Sequence, residues 1–353
     1  MNKNIKNCRY KIIGGITIKN ILKLGAICAI TITFAFCSYT SIIKQSTQGD
    51  GQVAQSTQVQ TPVKIPNTKE IVNTLCSDEF QGRLTGSKGN EKAGEYIAKI
   101  FKDIGLNPLF GNSYYEKYSQ KIASTYRGDE NNAKTKTVNN VVGVIRGKDS
   151  KKAVIISAHF DHLGYVNGKI NRGALDNASG ISALVEIAHI LKEKSKDKPF
   201  NMDIVLCAFN GEEEFMEGSR AFVQDIKSKH LYSSSLYNIN IDCIGAKNAG
   251  KNLALHNESR LSEKLYDAVE STFKKNNISF ADSKVQGGSD HFSFQAEGIP
   301  NIFIVQENIE KLANKPTDTP DILDYDQIDK IANAICDFVE ANDGVEFPNW
   351  RSN

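Results

Sequence analysis

Between Lys88 and Ile104 the apolar residues Ala93, Tyr96, Ile97, Ile100 and Phe101 recur at helical spacing, and Gly105 closes the run. The next apolar stretches are short and β-branched. Val138–Ile145 and Ala153–Ala158 predict two strands joined across a turn at Gly147–Ser150. The helical period returns at Ile181–Leu191, where Leu184, Val185, Ala188 and Leu191 share one face. The alternation continues with a strand at Met202–Phe209, a helix from about Glu217 to Ile226 and a strand at Leu236–Ile244. A helix at Leu261–Phe273, a strand at Ile299–Val305 and a closing helix at Gln327–Val339 complete it. Strands alternating with helices predict an α/β fold, a mostly parallel mixed sheet sandwiched between helices in a single domain. Few residues separate Ile145 from Ala153, so no inserted domain fits in that connection.

Upstream the chain changes character. Lys3, Lys6, Arg9, Lys11, Lys19 and Lys23 precede an uncharged stretch from Leu24 to Ile43. A basic flank before an apolar run predicts an export signal or a single membrane anchor over residues 1–43. Either one leaves the flank in the cytoplasm and carries the body out, so the expected location is extracytoplasmic, secreted or membrane-tethered. Residues 44–67 are rich in Gln, Ser and Thr and read as a flexible linker. The folded domain is expected over 68–345, with a short tail at 346–353.

Composition and charge narrow the function. The 353 residues are 40 % hydrophobic and 24 % charged, which excludes collagen, a disulfide mini-scaffold and wholesale disorder. The net charge is +2, and the six basic residues of the first 37 leave −4 for the remainder. A slightly acidic body offers no footprint for nucleic acid. Cys76, Cys207, Cys243 and Cys336 are widely spaced without a CxxC pair, so buried free thiols are expected.

The informative polar residues fall at the ends of predicted strands, where α/β sheets collect ligands. His159-Phe-Asp161-His162 follows the apolar run ending at Ala158. Asn210-Gly-Glu212-Glu213-Glu214 follows Phe209, and Asp242 follows Ile241. Asp176 lies in Gly173-Ala-Leu-Asp-Asn-Ala-Ser-Gly180 just ahead of a helix, and His291 lies in the glycine-rich Gly287-Gly-Ser-Asp-His291. Two histidines and at least three carboxylates converging on one sheet edge have the donor chemistry of zinc. Taken singly each is weak, since a strand-end His is commonly structural and an acidic run commonly a solvated helix start.

The order His-x-Asp, Asp-Asn-x-Ser-Gly, Gly-Glu-Glu with Gly-Ser five residues on, a strand ending in Asp, then Ser-Asp-His resembles the co-catalytic dizinc aminopeptidases of metallopeptidase family 28. The resemblance spans roughly Thr68 to Asn342 and includes Phe80-Gln-Gly-Arg-Leu-Thr-Gly-Ser87. It implies a zinc-exopeptidase-like fold and two Zn2+ ions. His159 and Asp242 would hold the first ion, Asp176 would bridge, and Glu213 and His291 would complete the second. Counting five back from Gly218 makes Glu213 the ligand and Glu212 the general base, with Glu214 a bystander. Asp161 would support catalysis by holding the far nitrogen of His159, and His162 reads as structural. Some relatives place a tyrosine beside the last ligand to support the oxyanion; that neighbour here is Asp290, which leaves the donor unassigned.

Two zincs about 3.5–4 Å apart would share a carboxylate and a water acidic enough to supply hydroxide near neutral pH. The expected activity is an exported zinc aminopeptidase acting on peptides with a free N-terminus, with membrane contact only through the N-terminal segment. The alternatives are a glutaminyl cyclase or carboxypeptidase of the same fold, or a non-catalytic binding module. No oligomeric state is specified by the sequence.

Overall fold

The computed structural model describes residues 63–347, apart from 129, 248, 250–252, 257–259 and 282–286. The expected signal or anchor over 1–43, most of the linker and residues 348–353 of the tail lie outside the described residues.

The chain enters helix α1 (Thr68–Leu75) through a capping box: Asn67 accepts from the Glu70 amide while Glu70 accepts from the Asn67 amide. Helix α2 (Lys88–Ile104) begins on a Ser87 cap and ends at left-handed Gly105, at the predicted bounds. Strands β1 (Asn107–Pro108), β2 (Tyr115–Ile122), β3 (Lys134–Ile145) and β4 (Asp149–His159) follow. A small hairpin, β5 (Tyr165–Val166) and β6 (Lys169–Ile170), precedes helix α3 (Ser179–Asp197) and strand β7 (Met202–Phe209). Helix α4 (Glu217–Ser228), strands β8 (Ser235–Ile241) and β9 (Leu253–His256) and helix α5 (Glu263–Lys275) come next. Helix α6 (His291–Ala296), strand β10 (Asn301–Gln306) and helix α7 (Tyr325–Ala341) complete the order.

The main sheet runs β1-β3-β7-β4-β8-β10-β9, with β2 also paired to β3. Its centre, β7-β4-β8-β10, is parallel, and both margins are antiparallel. Side-chain alternation explains the sandwich. On β4, Val154, Ile156 and Ala158 face one core while Ala153 and Ile155 face the other. Residues of α1, α2, α3, α5 and α7 fill the first core; Phe222 of α4 and Phe294 of α6 fill the second. A strand buried on both faces reads as continuously apolar, which is why β4 and β7 stood out in the sequence.

Several features depart from the sequence expectation, among them the unexpected α1, β1, β5, β6 and β9 and a β8 that ends at Ile241 rather than Ile244. Strand β2 interleaves Glu116, Lys117 and Lys121 with apolar residues, and β3 begins four polar residues earlier than Val138. These polar halves pair with one another rather than with the hydrophobic centre. The Gly287–His291 loop turns directly into α6. The four cysteines of the described residues are all buried and free, as expected.

Candidate metal centre

Because β7, β4 and β8 are parallel neighbours, their carboxyl ends open on the same sheet edge. His159 is the last residue of β4 and faces Phe209, the last of β7, while Asp242 follows β8 directly. Asp176 arrives from a buried irregular turn, Ala174–Ala178, that precedes α3; the peptide bond after it is cis. His159 Nε2 lies 3.3 Å from Asp176 Oδ1 and 3.4 Å from Asp242 Oδ1. On the other side of Asp176, His162 Nδ1 is 2.8 Å from Glu213 Oε1 and 4.0 Å from Asp176 Oδ1. Two potential metal-binding groups therefore share one carboxylate: His159, Asp176 and Asp242, and His162, Asp176 and Glu213.

Of the expected residues, His159, Asp176, Asp242 and Glu213 come together. His291 belongs to neither group. Its buried ring stacks on Phe303 at 4.7 Å and 15° and lies 4.4 Å from the Phe292 ring. The histidine beside Glu213 is His162, which the sequence alone suggests is structural.

Asp161 does more than expected. It is fully buried, with its Oδ1 3.6 Å from His159 Nδ1. The same carboxylate accepts from Thr85 Oγ1 and from the amides of Glu212 and Glu213, at 3.1, 3.1 and 3.2 Å. Its main-chain carbonyl meets His159 Nδ1 at 3.3 Å, so the residue orients the first histidine through its backbone and sets the glutamate run through its carboxylate. Below that run, Asn210 exchanges side-chain hydrogen bonds with Asn90, and its carbonyl accepts from Tyr118 Oη at 2.6 Å. Gly218 is required by this packing, since a Cβ there would meet Asn210 O at 2.1 Å and Asn140 Oδ1 at 2.4 Å.

The electrostatics are those of a crowded anionic site. Burial lowers the basicity of His159, but the carboxylates of Asp242 and Glu212 outweigh it and raise it well above the ordinary imidazole range. Burial pushes both Glu212 and Glu213 well up, with neighbouring Asp242 adding to the first and Asp176 to the second. Asp161 and Asp242 finish low despite burial, because His159 and hydrogen-bond donors favour their charged forms.

This donor set suits a divalent pair. Imidazoles and carboxylates are zinc's usual nitrogen and oxygen ligands. Among the described residues, the buried polar atoms without a hydrogen-bond partner include His159 Nε2, His162 Nε2 and Asp242 Oδ1. Buried polar atoms are ordinarily satisfied, and an ion held by His159 Nε2 and Asp242 Oδ1, 3.4 Å apart, would satisfy both. Above the cluster opens a cleft of about 1820 Å³, with Glu212, Glu213, Asp176 and Asp242 in its wall. Tyr126 and Arg127, between β2 and β3, line it from one side, and Ile309–Lys315 supplies another part of its wall. Phe215, 71 % exposed and with positive φ, stands at this cleft directly after the glutamates.

The model of peptidase family M28 matches residues 140–339, which contain every clustered residue. Aminopeptidase YwaD of Bacillus subtilis (strain 168) is 25 % identical over 207 residues, covering 56 % of this chain and 43 % of that protein. A glutamate carboxypeptidase 2 homolog of Caenorhabditis elegans is 27 % identical over 227 residues, covering 58 % and 27 % respectively. The chain thus spans less than half the length of both curated relatives. The solved structure of a zinc aminopeptidase from Bacillus subtilis superposes with a TM-score of 0.62 at 16 % identity, covering 79 % of this chain and 96 % of that one.

Proposed function

The chain belongs to peptidase family M28, and from that premise we propose that it is a zinc-dependent aminopeptidase that removes the N-terminal residue of peptides. One observation carries the reading: two groups of buried donors meet at Asp176, with Glu212 beside them at the cleft. We assign His159, Asp242, Asp176 and Glu213 to a pair of zinc ions, with Asp176 shared. Bound there, zinc supplies Lewis acidity and lowers the pKa of water to near neutrality.

The chain's own residues would do the rest. Glu212 accepts the proton of the attacking water and returns it to the leaving amine, the task of a general base that is not itself a ligand. Asp161 meets His159 through its main-chain carbonyl and both glutamate amides through its carboxylate, which ties ligand and base to one residue. The second ion's histidine is His162 by contact and His291 by resemblance. The alanine variant that drops the zinc count from two to one identifies it.

The expected outcome is two zincs per chain, loss of activity on chelation and recovery on zinc addition. A panel of aminoacyl chromogenic substrates should be cleaved, and the same panel N-acetylated should not. One zinc or none in active, unchelated protein would remove the dinuclear assignment. The carboxypeptidase relative motivates a second assay: release of the C-terminal residue from N-blocked peptides would overturn the aminopeptidase reading. We also propose that residues 1–43 take the body out of the cytoplasm, on the strength of their basic flank and apolar run. Cell fractionation tests it, and recovery in the cytoplasm would sink it.

A further inference from the structure

We propose that Asp318 is the positioning residue of the shared carboxylate: it holds the turn that presents Asp176, and so sets how tightly the metal pair is bound. The inference rests on the dizinc reading above and extends it to a residue 142 positions from Asp176. Asp318 is fully buried. Its Oδ1 accepts from the Leu175 amide at 2.6 Å and its Oδ2 from the Asp176 amide at 3.1 Å. Its main-chain carbonyl lies 3.5 Å from the Ala174 amide.

The turn needs such a partner. Asp176 (φ −114°, ψ 91°) and Asn177 (φ −134°, ψ 42°) are not helical, so their neighbourhood lacks a regular ladder to satisfy these buried amides. Two consecutive amides ask for two acceptor oxygens in a fork, which a carboxylate offers and an amide side chain does not. Arg83, also fully buried, donates to Arg172 O at 2.7 Å and Gly173 O at 2.9 Å. The turn is gripped by a cation on its carbonyls and an anion on its amides. A second buried anion beside Asp176 would be a poor choice for a scaffold alone, because like charges at close range repel. Next to a divalent pair the same charge is favourable. Asp318 also ends the segment that carries Ile309, Ala313 and Lys315 into the cleft wall. It therefore links the substrate-facing lip to the metal-presenting turn.

The test is Asp318→Asn in the full chain, with zinc affinity read by chelator competition and geometry by the absorption spectrum of the cobalt-substituted protein. Asparagine keeps one acceptor and turns an N–H towards a backbone N–H. Loss of an outer partner of a metal ligand costs about 10–100-fold in affinity. We expect that loss for at least one ion, an altered cobalt spectrum, and a metal-free melting temperature within a few degrees of wild type. Wild-type affinity for both ions with an unchanged spectrum would overturn the role of Asp318 while leaving the dizinc reading intact. A wild-type protein that binds no zinc would overturn that reading itself. Should Asp318→Asn not fold, hydrogen exchange in the metal-free wild type decides instead. Slow exchange at the Leu175 and Asp176 amides supports the clamp, and exchange at open-loop rates defeats it.

Discussion

The carboxylate of Asp161 reaches His159, Thr85 and the amides of Glu212 and Glu213. Its loss should therefore disturb ligand and base together, without removing either. Asp161→Asn is expected to lower activity about 10–100-fold, and Asp176→Asn to lower it further, because a shared carboxylate serves both ions. Equal residual activities would show that these roles are misassigned. The glutamate run separates in the same way. Glu212→Gln should keep both zincs and lose on the order of 10²–10⁴ in kcat, the contribution of a general base. Glu213→Gln should weaken one zinc, since a neutral amide is a poorer ligand. Glu214→Gln should do little. Zinc content and kcat measured on all three check the register; a dead, metal-replete Glu214→Gln would shift base and ligand along the chain.

At the scale of elements, the β2–β3 hairpin shows what a polar strand costs. Glu116 of β2 is buried against β3, where its Oε2 accepts from Asn140 Nδ2 at 2.8 Å. Burial pushes its pKa from 4.5 up to about 8, more than the Asn140 hydrogen bond lowers it. Below pH 4.5 both folded and unfolded chains hold the proton. Between there and pH 8 the unfolded chain releases a proton that the folded one keeps, so stability falls as pH rises; beyond that the slope ends. Glu116→Gln keeps the acceptor oxygen and removes the titration. Relative to wild type it should gain stability from pH 5 to pH 8, at up to about 1.4 kcal/mol per pH unit. Urea unfolding at pH 5, 6.5 and 8 reads this directly, and a constant difference would show that Glu116 is already ionised in the fold.

The described residues form a sheet with two unequal cores, and the smaller one depends on few residues. Phe209, Phe222 and Phe294 meet with ring centroids 5.3–6.3 Å apart and attach α4 and α6 to the sheet. Phe222→Ala should cost about 3–5 kcal/mol, the range for an aromatic removed from a packed core. The folded fraction should still bind two zincs, because the proposed ligands all lie outside α4. A denaturation midpoint paired with a zinc count tests this; loss of zinc without loss of stability would mean that the second core shapes the site directly. No helix among the described residues is long and apolar enough to cross a membrane.

The sequence by itself determined the α/β order, the bounds of α2 and β7 and the identity of the sheet edge that carries the chemistry. Those follow from local periodicity and from strands buried on both faces, where each residue's environment is set by near neighbours. Strand ends in a parallel sheet brought His159, the Glu212–Glu214 run and Asp242 to a common edge, while the choice of Glu213 within the run and the sharing role of Asp176 came from the family resemblance. Only the tertiary structure showed that His162 meets Glu213 and that Asp161 holds the amides of the glutamate run. It alone brought Asp318 and Arg83 to the turn of Asp176. These contacts join segments far apart in the chain. Their partners are chosen by packing angles and loop paths, and no spacing along one strand or helix encodes them.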